Sequence, residues 1–147
     1  MTNWRMVVTE PMKKHLPTAA GILLGLLFVM SGMVVLLKLA PMPKLPEGSP
    51  QALFMGAMGP TGYMTFVKVC EVLGGVLVAI PRFRNFGLLV LGPIILNIIA
   101  FQVFLNERKD LLNPMLLVII ALALYLLWSG RKGFAGLLNR RDELAKA

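Results

Sequence analysis

The chain is 147 residues long, 57% apolar and 15% charged, with a mean hydropathy of +0.76. Soluble globular domains carry about 25% charged residues and disordered chains have low hydrophobicity, so both classes are excluded. Fifteen lysines and arginines against seven acids give a net charge of +8, and the single cysteine and single histidine exclude an internal disulfide and a zinc cluster.

Four stretches are nearly free of charge: residues 18–39, 63–80, 86–105 and 111–128. At 1.5 Å per residue they span about 27–33 Å, the thickness of a hydrocarbon core. Of all the charged residues only Lys38, Lys68 and Glu71 lie inside them. The expectation is an all-α fold: a single domain over residues 1–147, built as an integral membrane four-helix bundle. The first stretch is too long for a signal-peptide core, and no small-x-small cleavage pattern follows it, so it reads as a retained helix.

The first helix carries Gly21, Gly25 and Gly32 within about 40° of one another, a stripe of the kind that lets helices approach closely in lipid. The connection that follows, residues 40–62, is rich in proline. Within it Ser49-Pro50 reads as an N-cap with proline at the first helical position, and Gly59 as the stop. Leu53, Phe54, Met55 and Met58 make the enclosed segment apolar. The pattern predicts a short extracytoplasmic loop helix between helices 1 and 2, as a surface connector or a lid over a cavity.

The second membrane helix holds Lys68 and Glu71, three apart and on one face. Cys70 neighbours Glu71 but points about 100° away and reads as an inert thiol. Pro93 in the third helix is expected to kink it. The fourth is apolar between Asn113 and Tyr125. After it, residues 131–147 alternate Phe134, Leu137, Leu138 and Leu144 with Arg131, Lys132, Arg140 and Arg141, the pattern of an amphipathic tail on cytoplasmic headgroups.

Basic residues set the orientation. Ten of them (Arg5, Lys13, Lys14, Arg82, Arg84, Arg131, Lys132, Arg140, Arg141 and Lys146) fall on the side of the termini, and four (Lys38, Lys44, Arg108 and Lys109) on the other. Both termini are therefore expected in the cytoplasm. The excess charge then answers to anionic lipid, and nucleic acid is not expected as a partner.

Ionisable groups within membrane helices usually face the interior and find partners. Counting inward, Ser31, Glu71 and Asn97 each lie eight residues from the far end of their stretch, about 12 Å deep. Lys68, Gln102 and Lys38 lie nearer the surface. The candidate ligand-binding or proton-relay residues are therefore Glu71, Lys68, Asn97, Gln102 and Ser31. Two readings stand side by side: a network that fixes helix register, and an outward-opening polar pocket for a proton or a small polar head such as a quinone carbonyl. One carboxylate without histidine or thiolate is too small a set for a metal, and no catalytic residue is assigned.

The run Gly62-Tyr63, Lys68, Glu71, Gly74-Gly75 resembles the DoxX and DoxX-like family of small bacterial four-helix membrane proteins, in which a Gly-Tyr opening is followed by Lys-x-x-Glu-x-x-Gly. The stretches Gly92-Pro93-Ile94-Ile95-Leu96-Asn97 and Phe101-Gln102-Val103-Phe104 are similar to the family's third helix. Ser31-Gly32, Lys38 and the proline-rich loop are similar to its first helix and loop. The resemblance covers about residues 18–130. It departs at Gln102, where many members carry histidine; glutamine keeps hydrogen bonding but does not titrate near neutral pH.

The family takes its name from the small subunit of an archaeal thiosulfate:quinone oxidoreductase. The resemblance therefore implies the bacterial cytoplasmic (inner) membrane and a redox association. Three functions are open: a small non-catalytic subunit of a larger redox or respiratory membrane assembly; a quinone-interacting oxidoreductase subunit; and a lipid or small-molecule binding protein. No cofactor is expected in the chain itself beyond a bound quinone or lipid. The expected partners are membrane lipids and other membrane subunits or further copies of the chain.

Overall fold

The computed structural model describes the backbone of residues 4–107 and 109–146 and the side chains of residues 12–107 and 109–136. Five helices follow in order: α1 (Trp4–Leu36), α2 (Pro50–Met58), α3 (Tyr63–Ala79), α4 (Arg84–Phe104) and α5 (Pro114–Lys146), with no strand among the described residues. Three are long and apolar enough to cross a membrane, over Met12–Leu36, Arg84–Phe104 and Pro114–Gly136. The 17-residue α3 is shorter, and it meets α2 at a bend of 86°.

Helix ends follow local chemistry. Lys38 takes a left-handed conformation (φ 53°) just past α1. The Leu39 N–H donates to the Val34 carbonyl and the Lys38 N–H to that of Val35, the Schellman pattern that satisfies terminal carbonyls. α1 runs back through Pro17 to Trp4, well before residue 18. Hydropathy marks where a helix can lie in lipid, not where its hydrogen bonds end. α2 begins as its sequence predicts: Ser49 Oγ accepts the Ala52 N–H at 3.2 Å, and Pro50 occupies the first turn. Gly59 caps the other end, its N–H bonded to the Met55 carbonyl at 2.8 Å. Gly62 (φ 77°) then turns the chain into α3.

α1 packs along α3, α3 on α4, and α5 closes against both α4 and α1. The closest approach is backbone to backbone. A Cβ on Gly21 would lie 2.7 Å from the Val78 carbonyl oxygen, and one on Gly75 would lie 2.8 Å from that of Gly25. At this crossing a methyl group would force the helices apart. Gly32 faces Val72 and the Lys68 carbonyl in the same way, so the glycine stripe fixes which face of α3 turns toward α1.

The core between these helices is purely aliphatic and aromatic: Leu24 and Phe28 from α1, Val78 from α3, Leu88 and Leu91 from α4, Ala123 and Leu126 from α5. Equally apolar side chains cover the outside, among them Leu26, Phe66, Leu96 and Leu124, each more than half exposed. Helices apolar on every side belong in a membrane.

The fourth apolar stretch and the amphipathic tail expected after it belong to one helix, α5, which runs without a break to Lys146. Gly130 and Gly133 lie against the Asn85 side chain at the start of α4. That close approach brings Phe134 onto the core, so this residue is a packing group. The side chains of Leu137, Leu138 and Leu144 lie outside the described residues.

Candidate functional site

The site is built on the α3 face that the glycine contacts leave turned toward α4. Lys68 and Glu71 stand one turn apart on it. Lys68 Nζ donates to both Glu71 oxygens at 2.9 Å, in a near-symmetric pair. Glu71 is 3% exposed and the Lys68 side chain 16%. Among the described residues Glu71 is the one charged group in the buried class. Isolated, a buried carboxylate carries a large desolvation cost; the ammonium one turn away offsets it.

The pair forms the polar end of a cleft of about 220 Å³ between α3 and α4. Val67, Ile94 and Ile98 supply apolar walls, and Tyr63 and Met64 line the cleft from the start of α3. Phe54 and Met55 of α2 line it as well, so the short helix is a roof over the cleft. Asn97 of α4 lines the cleft, its side chain exposed. Among the described residues no hydrogen-bond partner reaches its amide.

Two contacts hold the roof. The Phe54 ring meets that of Phe101 edge to face, centroids 5.5 Å apart. The Gln51 amide donates to Asn106 Oδ1 at 3.0 Å. Asn106 Nδ2 in turn donates to Gln102 Oε1 at 2.7 Å and to Asp110 at 2.6 Å. The end of α4 is thus a polar clasp for α2.

Of the residues singled out by sequence, Lys68, Glu71 and Asn97 come together in the cleft. Gln102 does not line it; its carbonyl belongs to the clasp. Ser31, half-buried on α1, does not line it either. It shares a depth with Glu71 by residue counting, but Gly32 beside it is the residue that meets α3. Both Glu71 oxygens are engaged by Lys68 rather than by Ser31 or Asn97. Gln51, Asn106 and the aromatic pair Phe54–Phe101 join the site without a motif in the sequence that marks them. The one available signal was Gln51 and Phe54 sharing a capped apolar helix. Among the described residues no three histidine, cysteine or acidic side chains group to hold a metal.

Fold and site together define a helical membrane protein with a small roofed cleft closed at its base by a buried ion pair. No family model matches the chain. A stretch of 78 residues is 32% identical to a Bacillus subtilis (strain 168) protein described as uncharacterized protein YwoB, covering 53% of this chain and 49% of that protein. The chain thus spans about half the length of the curated relative it matches. No solved structure matches it.

Proposed function

We propose that this chain is a DoxX-like four-helix bundle of the bacterial cytoplasmic membrane that binds the head of a lipid-soluble molecule in the cleft beneath α2. In this reading α3 is the fourth span. Its 17 residues reach about 26 Å, the short end of what a bilayer accepts. α2 lies on the outer surface and both termini are cytoplasmic, as the ten-to-four basic asymmetry requires. The DoxX resemblance adds the wider role, that of a small non-catalytic subunit of a redox-type assembly, presenting the bound molecule to its partners.

One observation carries the binding function: an ion pair and an asparagine amide with no hydrogen-bond partner among the described residues lie at one small apolar cleft, under a helix that buries none of its own residues. A purely structural ion pair needs neither the cleft nor the roof. The test is purification of the full chain from bacterial membranes in a mild detergent, followed by organic extraction and mass spectrometry. The expected result is a defined lipid-soluble molecule at close to one per chain. Protein that binds its membrane partners with the cleft empty would overturn the binding role and leave only the subunit role.

A further inference from the structure

The polar groups in the cleft have a pronounced imbalance. The Lys68 ammonium has three N–H donors; two point at the Glu71 oxygens, 2.9 Å away, which leaves one. Asn97 adds two N–H donors and one carbonyl, and Tyr63 a hydroxyl that both donates and accepts. Glu71 also lines the cleft, but both its oxygens already accept from Lys68 and the side chain is only 3% exposed, so it adds little free acceptor capacity. Counted over its lining residues, the cleft therefore carries about four uncommitted donors against two acceptors. Its net charge is nevertheless zero, because the two charged groups that line it cancel.

These two facts select a ligand class. An anionic head would lose its hydration and meet a neutralised lysine. To gain the ammonium it would have to displace Glu71, stranding a buried carboxylate. A cationic head would find no free carboxylate. An uncharged head rich in acceptors satisfies the spare donors at no such cost.

Size narrows it further. An apolar cavity of about 150 Å³ takes a benzene, so about 220 Å³ admits a substituted ring or an ester and leaves any long tail in the lipid. We infer, building on the binding role proposed above, that the cleft takes the uncharged carbonyl head of a lipid-soluble molecule and rejects carboxylate and phosphate heads. A quinone ring and a fatty ester carry the same chemistry.

The test uses the full chain in maltoside detergent at pH 8, with melting followed by scanning calorimetry. Four probes share a ten-carbon tail: decyl-benzoquinone, methyl decanoate, decanoate and decyl phosphate. One or both uncharged probes should raise the Tm saturably, and which one does identifies the ring or the ester as the source. The charged probes should leave it unchanged at the same concentrations. Asn97→Leu should weaken the uncharged probe about tenfold, the loss expected for one well-made hydrogen bond, without lowering the Tm of the empty protein. Stabilisation by decanoate or decyl phosphate equal to or greater than that of the uncharged probes would overturn the inference and leave the binding role standing. An unchanged affinity in Asn97→Leu would overturn it too. If no probe shifts the Tm, the binding role falls with it.

Discussion

Glu71 and Lys68 show how one turn of helix makes a charged pair tolerable where neither charge would be alone. The 2.9 Å contacts to both carboxylate oxygens compensate desolvation only while both partners are present. Removing one leaves an unpaired buried charge, at a cost of about 3–5 kcal/mol. Glu71→Leu should therefore unfold at markedly lower temperature than the native chain. Adding Lys68→Met to it should recover most of the loss, because a buried ion pair replaced whole by apolar groups is close to neutral. Glu71→Gln should fall between, keeping shape and one acceptor but losing the charge. Thermal unfolding of the three variants in one detergent checks the ordering; no gain from the second substitution would show that the pair is not the relevant interaction. The i, i+3 spacing makes this pair legible in the sequence. The engagement of both oxygens, which frees Asn97 from Glu71, is not.

At the scale of elements the informative piece is α2. A nine-residue helix is marginal in water by itself, so its order depends on docking. The docking contacts are few. The Gln51–Asn106 hydrogen bond contributes about 1 kcal/mol and the Phe54–Phe101 contact about 0.5–1.5 kcal/mol. Together these contacts contribute about 2 kcal/mol, so their removal should be felt first in α2. Gln51→Ala combined with Phe54→Ala should speed backbone hydrogen exchange across residues 52–58 about tenfold or more. The amides around Leu24 should be unaffected. Equal rates in native and variant protein would mean that other contacts hold the roof. The caps at Ser49 and Gly59 lie within a few residues of the helix they delimit, so the sequence displays them. The clasp joins residues 55 apart, and nothing local announces it.

For the whole molecule the open physical question is which end faces out. α2 and the cleft lie at the end shared by the α3 N-terminus and the α4 C-terminus; the Arg82 turn lies at the other. With the cytoplasmic termini proposed above, a cysteine at Glu47 in a Cys70→Ala background should react with an impermeant maleimide on intact cells. One at Arg82 should react only after the membrane is opened. Both native side chains are exposed, so accessibility within the protein does not confound the comparison. The reverse pattern would place the cleft on the cytoplasmic side.

The sequence by itself determined the helical class, three of the segments suited to lipid, the capped short helix and the Lys68–Glu71 pair. All of these depend on hydropathy, capping or helical spacing among near neighbours in the chain. Only the tertiary structure decided that Asn97 joins that pair while Ser31 and Gln102 do not, that α2 roofs the cleft, and that Phe134 packs inward. Residue counting gives a side chain's depth along its own helix. Which neighbour it meets depends on the rotation of each helix about its axis. Here that rotation is set by contacts between helices, backbone to backbone at Gly25 against Gly75 and backbone to side chain at Gly130 and Gly133 against Asn85, and these exist only once the chain has packed.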